Sequence, residues 1–147
     1  MATERRAEAI WKGNLTEGSG QITRTGSGAL GDLPVTWAAR TERSDGKTSP
    51  EELIAAAHAS CFSMELSHIL NKGGNPPEML SVSATVAAEP VQGAFTILSV
   101  ALEVTGRVPG LDAEGFERAA NQAKGSCPVS RALKGNVDLS VKATLEK

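Results

Sequence analysis

The sequence predicts an α+β protein. Three observations carry that expectation. A stretch from Ser49 to Asn71 is rich in Ala and Leu and holds no Gly or Pro after Pro50. Several segments on either side alternate apolar and polar residues and are joined by turn residues. Two short helical patterns precede a final alternating segment. The order is strands, long helix, two strands, two helices, strand. Strands joined by tight turns pair antiparallel, so the expected architecture is antiparallel sheet packed around one long central helix, in a single domain spanning 1–147.

The elements follow in order. Arg5 to Gly13 alternates, with Ala7, Ala9 and Trp11 on one face and Glu8, Ile10 and Lys12 on the other. Asn14 to Gly20 supplies turn residues, and Gln21 to Thr25 completes a hairpin. Gly26 to Pro34 reads as loop. Val35 to Glu42 reads as a third strand with Arg40 at its end, and Arg43 to Thr48 as a polar connector.

The long helix opens with strong start signals. Ser49 caps free N–H groups, and Glu52 three residues on completes a capping box. Pro50 loses no hydrogen bond in the first turn, and Glu51 and Glu52 face the positive end of the helix dipole. Gly73-Gly74-Asn75-Pro76-Pro77 breaks the chain. Leu80 to Glu89 alternates, Pro90 to Gly93 turns, and Phe95 to Gly106 is apolar on both faces, which suits a central strand. Asp112 caps a second helix through Lys124, with Phe116, Ala119, Ala120 and Ala123 as its stripe and Gly125 as its end. Cys127-Pro128 starts a third helix to Lys134, and Val137 to Leu145 alternates as the last strand.

Leu53 to Phe62 is apolar nearly all round, the pattern of a helix covered on most sides. One chain of 147 residues supplies too little sheet for that cover, so an obligate homodimer burying the helix is expected.

Composition narrows the function. Hydrophobic content of 40% supports a core, and 3% aromatic content makes it aliphatic. A net charge of -2 without a basic cluster argues against nucleic acid and anionic membranes as partners. No apolar run is expected to reach the ~20 residues of a membrane span. The charged N-terminus M-A-T-E-R-R lacks a signal-peptide core, which places the protein in the cytoplasm.

Cys61 and Cys127 are the two cysteines, too few for a thiolate zinc site. In a reducing compartment such a pair is catalytic, redox-active or simply buried. Cys127 precedes Pro128 at a helix start, where free N–H groups lower a thiol's pKa, so physics alone nominates it as the more acidic thiol. Cys61 lies mid-helix and needs a neighbouring cation. His58, three residues earlier on the same helix face, makes a Cys–His hydrolase dyad conceivable.

The stretches S-P-E-E-L-I-A-A-A-H-A-S-C-F-S-M-E-L and G-S-C-P-V-S-R-A-L, with W-K-G-N and V-P-G-L-D, resemble the OsmC/Ohr family of osmotically inducible and organic hydroperoxide resistance proteins. The A-H-A-x-C-F-S-M and G-x-C-P-V-S forms lean toward the OsmC branch, and the resemblance covers essentially the whole chain. It implies the OsmC-like fold, an intertwined homodimer with shared active sites, and a thiol-dependent peroxidase. By motif match it implies Cys61 as peroxidatic cysteine, Cys127 as resolving cysteine, Arg40 as active-site arginine with Arg43 as substitute, and Glu51 as its partner. The expected substrate is a small organic hydroperoxide and the expected reductant a small dithiol of the lipoyl type. No metal, haem or flavin cofactor is required. The alternatives are a hydrolase using Cys61 and His58, and a non-catalytic stress-related ligand-binding dimer.

Two geometric expectations remain. Glu51 precedes Cys61 by ten residues, about 15 Å along a helix and ~80° around it. It therefore cannot serve its own chain's Cys61 on a straight helix, and the partner subunit must supply it. Ile54, Ala57, Phe62 and Met64, extended by Phe95, Leu98 and Leu111, are expected to form an apolar pocket wall beside Cys61.

Overall fold

The computed structural model describes all 147 residues, which fall into two compact units, Met1–Leu53 and Ile54–Lys147. The first unit holds a three-stranded antiparallel sheet of β1 (Ala7–Lys12), β2 (Ser19–Thr25) and β3 (Gly31–Val35), in that order, followed by a short helix α1 (Trp37–Thr41). Trp11 pairs with Gly20 across the hairpin, where any side chain on Gly20 would overlap the indole.

Here the structure departs from the expected third strand. Gly31–Pro34, expected as loop, is strand, and the segment carrying Arg40 is helix. Thr36 decides the change: its extended backbone and its Oγ1, which accepts from Ala39 N at 3.1 Å, make it an N-cap. Pro34 sits on β3, which pairs only with β2, so its missing N–H costs no ladder bond.

Helix α2 (Pro50–Lys72) begins as expected, with Ser49 Oγ accepting from Glu52 N at 3.1 Å. The reciprocal half of the box is replaced: the Glu52 carboxylate accepts from the Thr48 hydroxyl at 2.9 Å. By length and composition α2 is apolar enough to cross a bilayer (23 residues, hydropathy 1.2), which corrects the expectation that no run approaches that size. Its use is nevertheless that of a core helix. Phe62, Leu66 and Leu70 recur every four residues and are buried. The other faces stay open in this chain: Ala56, Ala57 and Ser60 are exposed, and Met64 keeps 67% of its surface.

The second unit carries the sheet β4 (Met79–Val91), β5 (Ala94–Arg107) and β6 (Asp138–Leu145), in that order. β4 and β5 run up to a two-residue turn, Gln92-Gly93, both with positive φ, so the hairpin is tighter than the four-residue turn expected. β5 is central, as its two apolar faces predict. The β5–β6 ladder is parallel, a correction to the all-antiparallel sheet expected. The chain between them, α3 (Ala113–Ser126) and α4 (Pro128–Leu133), is a crossover that returns β6 to the same end.

Asp112 caps α3 as expected, accepting from Gly115 N at 2.7 Å. Gly125 does not end it; the helix runs one residue further and closes on Cys127, whose N–H bonds Ala123 O. The core gathers Phe62, Leu66 and Leu70 of α2, Leu102, Val104 and Val108, Phe116, Ala119, Ala120 and Ala123 of α3, and Cys127. Gly106 lets the Phe116 ring approach β5 closely, where a methyl group would overlap it.

Candidate active site

Cys127 is a one-residue joint. It caps the C-terminus of α3 and stands at the N-cap of α4, with φ −57° and ψ 131°. Its carbonyl accepts from Arg131 N at 3.0 Å, but its thiol makes no cap bond. The thiol points instead at Cys61, with Sγ–Sγ 3.0 Å. Both thiols are reduced; Cys127 is fully buried and Cys61 half-buried. A disulfide needs about 2.05 Å, so a shift of about 1 Å would join them.

Burial pushes the Cys61 thiol above its ordinary pKa, and the hydrogen bond with Cys127 adds to the rise. The Val129 backbone opposes the rise by hydrogen bonding, whereas charge on Cys127 and on Glu65 reinforces it. Within the unit 54–147 the groups acting on Cys61 therefore favour the thiol.

In the unit 1–53, Arg40 and Glu51 form a bidentate pair. Arg40 Nε donates to Glu51 Oε1 at 2.9 Å and Nη2 donates to Oε2 at 2.9 Å. The guanidinium also lies 5.7 Å from the centre of the Trp37 ring. Arg40 thus reaches Glu51 from the last turn of α1, not from a strand end. A cleft of roughly 290 Å³ beside it is lined by Trp11, Leu15, Val35, Trp37 and Pro50.

His58 is fully buried and does not form the dyad considered for a hydrolase. Its Nε2 bonds Ser130 Oγ at 2.7 Å, and Nδ1 has no partner. Burial pushes its pKa down, so the ring is held neutral. His68 is exposed on α2. Phe62, expected as pocket wall, is a core residue with no exposure, because it faces the same way as Leu66. Sequence reasoning missed Glu65, whose carboxylate accepts from Ser126 Oγ at 2.5 Å, and it missed Ser130. The available signal was spacing: Glu65 lies one turn after Cys61, and the two serines flank Cys127.

A mid-helix cysteine meeting a second thiol at a helix joint puts two reduced thiols within reach of one another on an α+β scaffold. The comparisons narrow the class. A model of the OsmC-like protein family matches residues 43–142. The peroxiredoxin OsmC of Escherichia coli (strain K12) is 40% identical over 139 residues, covering 95% of this chain and 96% of that protein. An organic hydroperoxide resistance protein of Xanthomonas axonopodis pv. citri (strain 306) is 32% identical over 96 residues, covering 64% and 65%. The crystal structure of the organic hydroperoxide resistance protein OhrB of Bacillus subtilis superposes with a TM-score of 0.70 at 28% identity, covering 96% of this chain and 98% of that one. The chain belongs to the OsmC-like family.

Proposed function

We propose that the protein is a cysteine-based peroxidase that reduces organic hydroperoxides to alcohols in oxidative and osmotic stress defence. The observation that carries this reading is the 3.0 Å approach of the two thiols, one half-exposed on α2 and one buried behind it. The names of the relatives, a peroxiredoxin and a hydroperoxide resistance protein, support the same chemistry.

The Cys61 thiolate attacks the distal oxygen of the hydroperoxide. The O–O bond breaks, sulfur gains the hydroxyl as a sulfenic acid, and the alkoxide takes a proton and leaves as alcohol. The Cys127 sulfur then displaces that hydroxyl. The Cys127 proton leaves with it as water, and the Cys61–Cys127 disulfide forms. A small dithiol of the lipoyl type reopens it by exchange and is itself oxidised.

The reading also assigns the Arg40–Glu51 pair. Local groups keep Cys61 protonated, so a thiolate there needs a cation. Glu51 aims the guanidinium, and Arg40 stabilises first the thiolate and then the charge developing on the leaving oxygen. On the continuous helix α2, Glu51 and Cys61 are ten residues apart, which is about 15 Å. The site is therefore completed in a homodimer, with Arg40 and Glu51 supplied by the partner. The open faces of α2 support that assembly. The two units then act as one domain of a cytoplasmic enzyme.

Trapping tests the roles. One equivalent of cumene hydroperoxide should leave a dimedone-reactive sulfenate on Cys61 in Cys127→Ser and a disulfide in the unmodified protein. A dimedone adduct on Cys127 in Cys61→Ser, with none on Cys61 in Cys127→Ser, reverses the assignment.

A further inference from the structure

The Cys127 joint is a single residue between two helices, its backbone bonded to Ala123 and Arg131, but its thiol makes no cap bond that would aim it. Two side-chain bonds from α2 reach the chain on either side of it. One residue before Cys127, Ser126 Oγ donates to Glu65 Oε1 at 2.5 Å. Three residues after it, Ser130 Oγ meets His58 Nε2 at 2.7 Å. The two anchors on α2, His58 and Glu65, are seven residues apart and therefore share a helix face, with Cys61 between them.

The His58–Ser130 bond is made in the dry interior, since both residues are buried. The orphaned Nδ1 marks what that placement costs, because a buried imidazole nitrogen without a partner is unfavourable. An apolar residue would fill the same space without the penalty. A polar residue kept there at a cost, bonded to the helix that follows Cys127, has the properties of a positioning device.

We propose that Glu65–Ser126 and His58–Ser130 form a two-point clamp that sets the Cys127 thiol in line with Cys61, and that these four are positioning residues for disulfide formation and not for the attack on peroxide. This rests on the reading of Cys61 as the oxidised thiol. The clamped step is the condensation of the Cys61 sulfenic acid with the Cys127 thiol, in which an S–S bond forms, the S–O bond breaks and water leaves. With sulfur atoms starting 3.0 Å apart, the step needs no rearrangement of α3 or α4. Releasing either tether lets the joint drift while leaving Cys61, fixed on the regular backbone of α2, in place.

The test separates the two steps in one experiment. Reduced protein is mixed with one equivalent of cumene hydroperoxide and quenched over time. Dimedone capture and mass spectrometry follow the sulfenic acid, and non-reducing mass analysis follows the disulfide. For Ser130→Ala and Ser126→Ala, sulfenic acid should form within about twofold of the unmodified rate. Disulfide formation should slow about tenfold in each and about a hundredfold in the double variant, the scale of an ångström-sized misplacement. When a second equivalent of peroxide is then added, the persisting sulfenic acid should be oxidised to sulfinic acid. Glu65→Gln keeps an acceptor for Ser126, so disulfide formation should stay near the unmodified rate. A merely structural role would slow both steps together. Unchanged disulfide rates in the serine variants, or equal slowing of both steps, overturns the clamp. If neither Cys127→Ser nor Cys61→Ser gives a sulfenic acid, the peroxidase reading itself fails.

Discussion

The Arg40–Glu51 pair and the Cys61–Cys127 pair are prepared in opposite ways. The first is ionic, bidentate and partly wet, with side-chain exposures of 32% and 11%. The second is a pair of reduced thiols, with one sulfur fully buried. The ion pair is a cation held in a fixed orientation with no thiol in its own unit to act on. The thiol pair lies 3.0 Å apart, and burial raises the Cys61 pKa.

The largest way to break this comparison is to remove the nucleophile. Cys61→Ser should reduce hydroperoxide turnover, measured by consumption of cumene hydroperoxide under excess dithiol, to the uncatalysed background. Cys127→Ser should complete one oxidation and then stall.

Removing the cation comes next. Arg40→Ala should lower kcat/KM about 10²- to 10³-fold, the usual effect of deleting one charge-stabilising donor. It should also move the pH midpoint of Cys61 alkylation upward. The sign follows from the thiolate being the reactive form: groups that favour the thiol require more alkaline solution before alkylation becomes fast. Glu51→Gln should give a smaller loss, since the guanidinium survives without its aim. An alkylation midpoint unchanged in Arg40→Ala would separate the two pairs functionally.

Substrate preference sharpens the comparison further. An apolar surround gains roughly 0.8 kcal/mol per CH₂ removed from water, so a hydroperoxide burying three or four carbons gains about 30- to 200-fold over hydrogen peroxide. Steady-state kcat/KM for cumene hydroperoxide, tert-butyl hydroperoxide and hydrogen peroxide should spread by one to two orders of magnitude on that scale. Equal values would contradict the apolar surround expected beside Cys61.

The smallest effect concerns acid. His58 is buried neutral, with its pKa below the unfolded value of about 6.5. The unfolded chain therefore binds the proton more readily. The contribution is fully present above about pH 6.5 and is lost as the pH falls through that value toward the lowered pKa. Urea midpoints should drop between pH 7.5 and 5.5, and His58→Asn should flatten that part of the slope.

Much of this was legible in the sequence where local chemistry decides. Ser49, Glu52 and Asp112 announce helix starts, and both caps form. Residues Phe116, Ala119, Ala120 and Ala123 predict the buried stripe of α3, and they are its buried residues. Motif resemblance nominated Arg40 and Glu51, which the fold joins by a bidentate pair. What escaped depends on partners distant in sequence. Val35 to Glu42 has no clear period, so the Thr36 cap decided between strand and helix. The sense of β6 is set by the α3–α4 crossover, which strand alternation cannot report. His58 is as near to Cys61 in sequence as a dyad requires, but its bond goes to Ser130, 72 residues away.

The most direct measurement is subunit complementation. Cys61→Ser and Glu51→Ala proteins, each inactive or nearly so alone, are unfolded together, refolded as a mixture, and assayed for cumene hydroperoxide reduction. If Arg40 and Glu51 serve the partner's thiols, the mixed dimer carries one intact site, formed by Cys61 of the Glu51→Ala chain and Glu51 of the Cys61→Ser chain. A statistical mixture should then recover about a quarter of the unmodified activity per chain, since half the dimers are mixed and each holds one site of two. No recovery, with mixed dimers verified by mass, would show that the two pairs act within one chain.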